Sequence, residues 1–530
     1  MVTPFARALP PRADLAQQKA LARELLEAFH ASSSTGTAEV HARAQARIRA
    51  VLPDKARIVL ADCQFVIARE FGFHDWAALK RHLEALRLAA RGPQAQLHDA
   101  MARRDAAGVR RLLQTYAEFR PFINAPLFPF NAPALVHCAS DAAMVDVLLE
   151  FGADPDRRSE WWAGGFHALH IARGAAAERL LAAGATVDCC AAAQLDRLDL
   201  LAAILRDDPS RVHERGGDGQ TPLHFARSRA VIDLLLEAGA DPNARDRDHR
   251  ATPAQWMLAR RRGAERYALA EYLVQCGAST DIFLAAALGR TDDVREHLEH
   301  DPTLLALRTG QDSYGAEPPS SQHIYTWSIG TNRSPLDVAA QFEQYETLEV
   351  LLAYATTAQR FRFACFRADA DAAQAIVLEE PALVSSLDAR DRRAITDAAW
   401  EGNAAAVTLM LSLGFDPATP GHDTGSALHC ASWQGSASTV AAILATAAGR
   451  ALIHTRDAHH GSTPLGWCCH GSLHGPEGDH ATIARLLLAH GAIVEAFEAS
   501  DAVEQVLFDA DATAPTGIPE SPLADDRPAR

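Results

Sequence analysis

The chain has 530 residues, with 51 Lys and Arg against 67 Asp and Glu and a net charge of −16, which disfavours a surface that tracks phosphates and hence nucleic acid as a partner. A single ordinary core is excluded at this length, so several domains or a lengthwise repeat array is expected. No apolar run approaches the roughly 20 residues that cross a bilayer, and MVTPFARALPPRADLAQQ lacks the apolar core of a secretion signal, so a soluble, cytoplasmic chain without membrane contact is expected.

In chain order, periodicity predicts helices over 15–31 and 37–51. The stretch from Ala56 then reads as helix, break, helix: Leu60, Val66, Ile67 and Phe71 fall on one face, Gly72 ends it, and a second helix from Asp75 buries Trp76, Leu79 and Leu83. Residues 1–92 are read as a helical capping or docking module; its basic residues are too few for a DNA-reading helix-turn-helix.

Beyond it the chain repeats itself. A six-residue head returns as Ala134–Ala139, His167–Ala172, Thr221–Ala226, Thr252–Met257, Ser334–Ala339, Ser426–Ala431 and Thr463–Cys468. Each head leads to a second leucine-rich stretch, such as VIDLLLEAGADPN, with a glycine able to end a helix in the left-handed conformation. Thr or Ser caps the first helix of the best copies, with proline at its first position. In weaker copies an acid–proline pair replaces the glycine stop, at Asp208-Pro209, Asp301-Pro302 and Glu380-Pro381. The heads at Ala134 and Thr221 are shorter than that at Arg393 by nearly one helical turn, which is expected to shrink the turn between the helices. Longer copies carry HGSLHGPEGDH and an insertion over 309–333.

The head Thr221-Pro-Leu-His-Phe-Ala226 resembles that of the ankyrin repeat, T-P-L-H-x-A. The resemblance implies an all-α, ankyrin-type solenoid of about twelve helix-turn-helix units over 93–511, several degenerate. The phrase AREFGFHDWAALKRHLE is similar to a helical module appended to bacterial ankyrin proteins. Residues 512–530, ATAPTGIPESPLADDRPAR with one Asp before, read as a disordered, Pro-rich tail.

His137, His170, His224 and His429 share one head position, and a repeated residue implies a repeated structural job; in the ankyrin family it supports hydrogen bonding between adjacent turns. Cys63, Cys138, Cys276, Cys365 and Cys430 lie in apolar helical patterns and are expected to be buried, reduced thiols. Cys468, Cys469, His470, His474 and His480 form the strongest metal-like set, but their spacing fits no closed zinc pattern, so no metal and no cofactor is expected. No phosphate loop, nucleophile elbow or H-E-x-x-H occurs.

Aromatic residues are 7% of the chain, so those outside the leucine pattern draw attention as contact residues: Trp161, Trp162, Tyr325 and Trp327. The turn positions Asp218, Gln220, Asp248, His249 and Arg250, with His459 and His460, complete the expected partner-binding set. The function expected is a non-enzymatic protein-protein interaction scaffold whose protein partner has a neutral or basic surface. The alternatives are a metal-dependent enzyme or metal-binding protein using the Cys/His loop of the last repeat, and an effector delivered into a host cell.

Overall fold

The computed structural model describes residues 5, 7, 9, 15–30, 38–55, 57–80, 82–83, 92–258, 264–310, 324–494 and 498–511. The tail at 512–530 and most of the 309–333 insertion lie outside them. Among the described residues every regular element is helical, and the one strand-like feature is an antiparallel bridge between Phe128 and Ala132. No helix among them is long and apolar enough to cross a membrane.

This is a helical repeat protein, and local chemistry sets each unit. Pro222, Pro253, Pro335 and Pro464 each occupy the first helical turn, where a missing N–H costs nothing. The hydroxyls of Thr252, Ser334 and Thr463 accept from the backbone N–H three residues on. Second helices such as Ala142–Glu150, Arg229–Glu237 and Ala404–Ser412 end at Gly152, Gly239 and Gly414, whose φ values of 93, 93 and 92° are left-handed. Where proline replaces glycine, the helices stop at Asp207, His300 and Glu379, one residue before the acid.

The short heads lose their turn from the first helix and not from the connection. Ala134–His137 and Pro222–Phe225 have 4 residues each, against 8 for Ala427–Gln434 and 11 for Pro464–His474. Asp141 and Ser228 cap the following helix early, which removes the last turn of the first one.

The head histidines bridge repeats as their periodicity suggests. His224 Nδ1 accepts from Thr221 N at 3.0 Å while Nε2 donates to the Ala251 carbonyl at 3.1 Å. His429 does the same between Ser426 and Ser462, and His170 between His167 and Asp188. Gln255 replaces the histidine, accepting from Thr252 N and donating to Asp281. Asp337 accepts from Ser334 N and hands the link to Arg362. His137 differs: it stacks on Phe128 with ring centroids 4.5 Å apart.

The chain divides into two compact units, 88–363 and a second formed by 1–87 with 364–530. In the second, Leu15–His30, Ala38–Val51 and Leu60–Glu70 enclose Leu25, Leu26, Ile48, Val66, Ile67 and Trp76, and Phe508 of the last helix, Asp501–Asp511, enters that core. Gly72 breaks the third helix at φ 82°. Eight of the nine cysteines are buried and none is in a disulfide; Cys276 is exposed, because it follows the last residue of the helix Ala264–Gln275.

Candidate functional site

The expected contact residues fall in two places. In the unit 88–363 the turn at Asp218 adopts φ 56°, and its carbonyl accepts from Arg247 N and Asp248 N at 2.9 and 3.2 Å. This stapling of one turn to the next buries Asp218, Gln220 and Asp248, three of the expected contact positions. Burial, with Asp248 and Asp246 nearby, pushes the Asp218 carboxyl up to about 7. Trp161 is half-buried, edge-on to Phe130. Tyr325 is fully buried and its hydroxyl donates to Asp281. Trp162 and Trp327 stay 64% and 66% exposed. Arg250 is exposed at φ 56°, and His249 is half-buried with its ring edge-on to Trp256.

His249 belongs to a motif used twice. Asp246 accepts from His249 N, Arg250 N and the Trp256 indole; Asp457 accepts from His460 N, Ser462 N and the Trp467 indole. Burial opposes ionisation of Asp457, but these hydrogen bonds outweigh it and hold the carboxyl at about 2. The anchored turn projects His459 and His460 into solvent beside Asp423 of the preceding turn, with His460 Nε2 3.7 Å from the Asp423 carboxylate. Thr424 Oγ1 accepts from Ala458 N and His459 N and ties the two turns together.

Beside these turns, in the unit containing 364–530, lies a cleft of about 560 Å³ lined by Trp400, Trp433, Trp467, His460, His470, Asp423 and Glu498. Its architecture follows from the long heads. Trp400, Trp433 and His470 are the seventh residues after Arg393, Ser426 and Thr463, in the extra turn that short heads lack. They form a column: Trp400 and Trp433 lie within 5° of parallel with centroids 6.4 Å apart, and Trp433 to His470 is 5.2 Å. Burial and the neighbouring His474 and His460 lower the His470 pKa. Trp467, aimed by Asp457, closes one wall. Of this cleft only His460 was among the expected contacts, and the signal that finds Trp400 and Trp433 is the tryptophan recurring in successive long heads.

The Cys/His set of the last repeat does not converge. Cys468 Sγ faces the His480 carbonyl, His480 Nε2 meets the Trp433 carbonyl, and His470 and His474 lie together elsewhere on the helix Pro464–His474. Burial, then the Glu504 charge, pushes the Cys469 thiol up to about 12, and burial also raises the Cys468 thiol.

Residues 218–247 match the family model of the ankyrin repeat. That segment holds the stapled turn at Asp218, the full head at Thr221 and the glycine stop at Gly239. A stretch of 77 residues is 43% identical to the serine/threonine-protein kinase VIK of Arabidopsis thaliana, covering 14% of this chain and 16% of that protein. The chain thus spans about a sixth of the length of that relative.

Proposed function

We propose that the chain is a non-enzymatic protein-binding scaffold of about twelve ankyrin-type units, which meets its partner through turn tips and the tryptophan cleft. The ankyrin match at 218–247 supports protein partners in general. The observation that carries the reading is the placement of aromatic side chains in the cleft and at Trp162 and Trp327, outside the leucine faces that hold repeats together. His249, Arg250, His459 and His460 complete the proposed contact set. Cytoplasmic residence and a partner with a neutral or basic surface belong to the same proposal; a bacterial source rests on the resemblance of residues 68–84 alone.

Affinity capture from the native cell tests it. The full chain is compared with a variant carrying Trp162→Ala and Trp327→Ala, and with one carrying Trp433→Leu. Selective loss of the same proteins from either variant supports the reading, while equal recovery from all three rejects these surfaces as the contact.

A further inference from the structure

We infer that the tryptophan cleft binds an arginine side chain of a partner's peptide segment, an assignment that rests on the protein-binding reading and gives it a ligand chemistry. The lining combines two features rarely found together at a surface. Trp400 and Trp433 line it with rings within 5° of parallel, Trp400 also stacked on His422 with centroids 4.2 Å apart, and Trp467 adds a third ring on a different repeat. Asp423 and Glu498 place carboxylates in the same cleft, both on exposed side chains.

Each feature selects for a flat cation. The negative face of an indole attracts a cation above the ring, and tryptophan does so most strongly. A guanidinium is planar, so it can lie against an indole ring of the wall while its fork of N–H donors reaches a carboxylate at its edge. An ammonium has no face to stack and is more strongly hydrated, so it gains less from the same walls. Among the histidines of the wall, His470 has its pKa lowered by burial, the His460 backbone is held by Asp457 with its imidazole toward Asp423, and His422 lies against Trp400.

The surrounding charge has the same sign. The chain carries −16 overall, which attracts a basic segment over a distance of a Debye length, about 8 Å at physiological salt. The turn that supplies Asp423 is fixed before any ligand arrives. Its φ of 44° and the Thr424 link to Ala458 and His459 hold it against the next repeat, so little ordering is needed on binding. The Trp467 ring is seated tightly: a Cβ on Gly425 would lie 2.8 Å from it, so the glycine lets that ring take its position in the wall.

The test uses the full chain and three blocked pentapeptides, Gly-Ser-X-Ser-Gly with X arginine, lysine or citrulline, titrated by calorimetry at low salt. Citrulline keeps the shape of arginine and removes its charge. The arginine peptide is expected to bind saturably with one site, with the citrulline peptide at least about tenfold weaker and the lysine peptide between them. Asp423→Asn keeps a side chain suited to the left-handed backbone and is expected to weaken arginine binding several-fold. Trp433→Leu is expected to remove it, with near-ultraviolet circular dichroism reporting that the fold is kept. Equal binding of arginine and citrulline, no saturable binding by the folded wild-type chain, or indifference to Asp423→Asn overturns the assignment. Partner capture that depends on Trp162 and Trp327 while the arginine peptide does not bind leaves the scaffold reading standing and removes only the cation.

Discussion

His224 shows how one side chain links two repeats and sets a pH limit. It is buried, accepts from its own cap and donates to the next repeat. His224→Ala leaves Thr221 N and the Ala251 carbonyl unpaired and is expected to cost about 2–4 kcal/mol. Burial lowers its pKa to about 4 from an ordinary 6.5. The unfolded chain therefore takes up a proton below pH 6.5 that the folded chain refuses until about pH 4, so stability falls as pH drops through that window. His167 and His429 are lowered in the same direction by burial. Urea unfolding at a series of pH values is expected to show this acid limb, reduced in His224→Gln, because Gln255 already performs the same double role elsewhere. Asp218 gives the opposite slope. Its carboxyl is raised from 3.8 to about 7 by burial, so its contribution is full below pH 3.8 and is lost as pH rises through 7. Asp218→Asn, which tolerates the left-handed turn, is expected to raise the melting temperature by roughly 2 °C at pH 8 and to change it little at pH 4. The histidine role was legible because four heads repeat it. The burial of Asp218, Gln220, Asp248 and Tyr325 was not, since turn position says nothing about whether the next turn closes over it.

The paired helices were the most readable elements, since proline, cap and glycine mark their ends in the chain itself. What the marks conceal is the length of the first helix, and that length decides where chemistry can gather. Only the long heads carry a last turn, and only there do Trp400, Trp433 and His470 align. Heads matched by their first six residues hide this column; heads matched through to the following cap expose it. Asp423 and Glu498 obey no such period, so their arrival in the cleft is a property of tertiary packing alone. The connection after the long head is correspondingly tight. At Gly435, φ is 78° and an added Cβ would lie 2.7 Å from Gly478 Cα. Gly435→Ala is expected to cost about 2–3 kcal/mol, combining the left-handed penalty with a backbone clash that cannot relax. Gly239, at φ 93° with nothing within 4 Å of a Cβ, isolates the first term, and Gly239→Ala is expected to cost only about 1 kcal/mol. Chemical denaturation of the two variants side by side separates conformation from contact.

At the scale of the molecule, the sequence suggests an N-terminal module followed by an array, whereas the contacts join residues 1–87 to 364–530. The joint is a helix that the repeat pattern does not announce, Asp501–Asp511, and its chemistry is specific. Phe508 lies in the core of the N-terminal helices, Gln505 Oε1 accepts from Ala61 N, Lys80 pairs with Asp501, and buried Glu504 pairs with Lys19. A buried carboxylate deprived of its cation is far more costly than the pair is favourable, because desolvation is then uncompensated. Lys19→Met is therefore expected to destabilise the unit holding both chain ends by about 3 kcal/mol, and Lys19→Met with Glu504→Leu to recover most of that loss. Scanning calorimetry of the full chain makes the prediction sharp. With two compact units, two transitions are expected; Lys19→Met should lower one by several degrees and leave the other in place, and the double variant should bring the first back. A single transition that moves as a whole would show that the chain unfolds as one cooperative body, and an unmoved pair of transitions would show that the ion pair at the joint carries no stability.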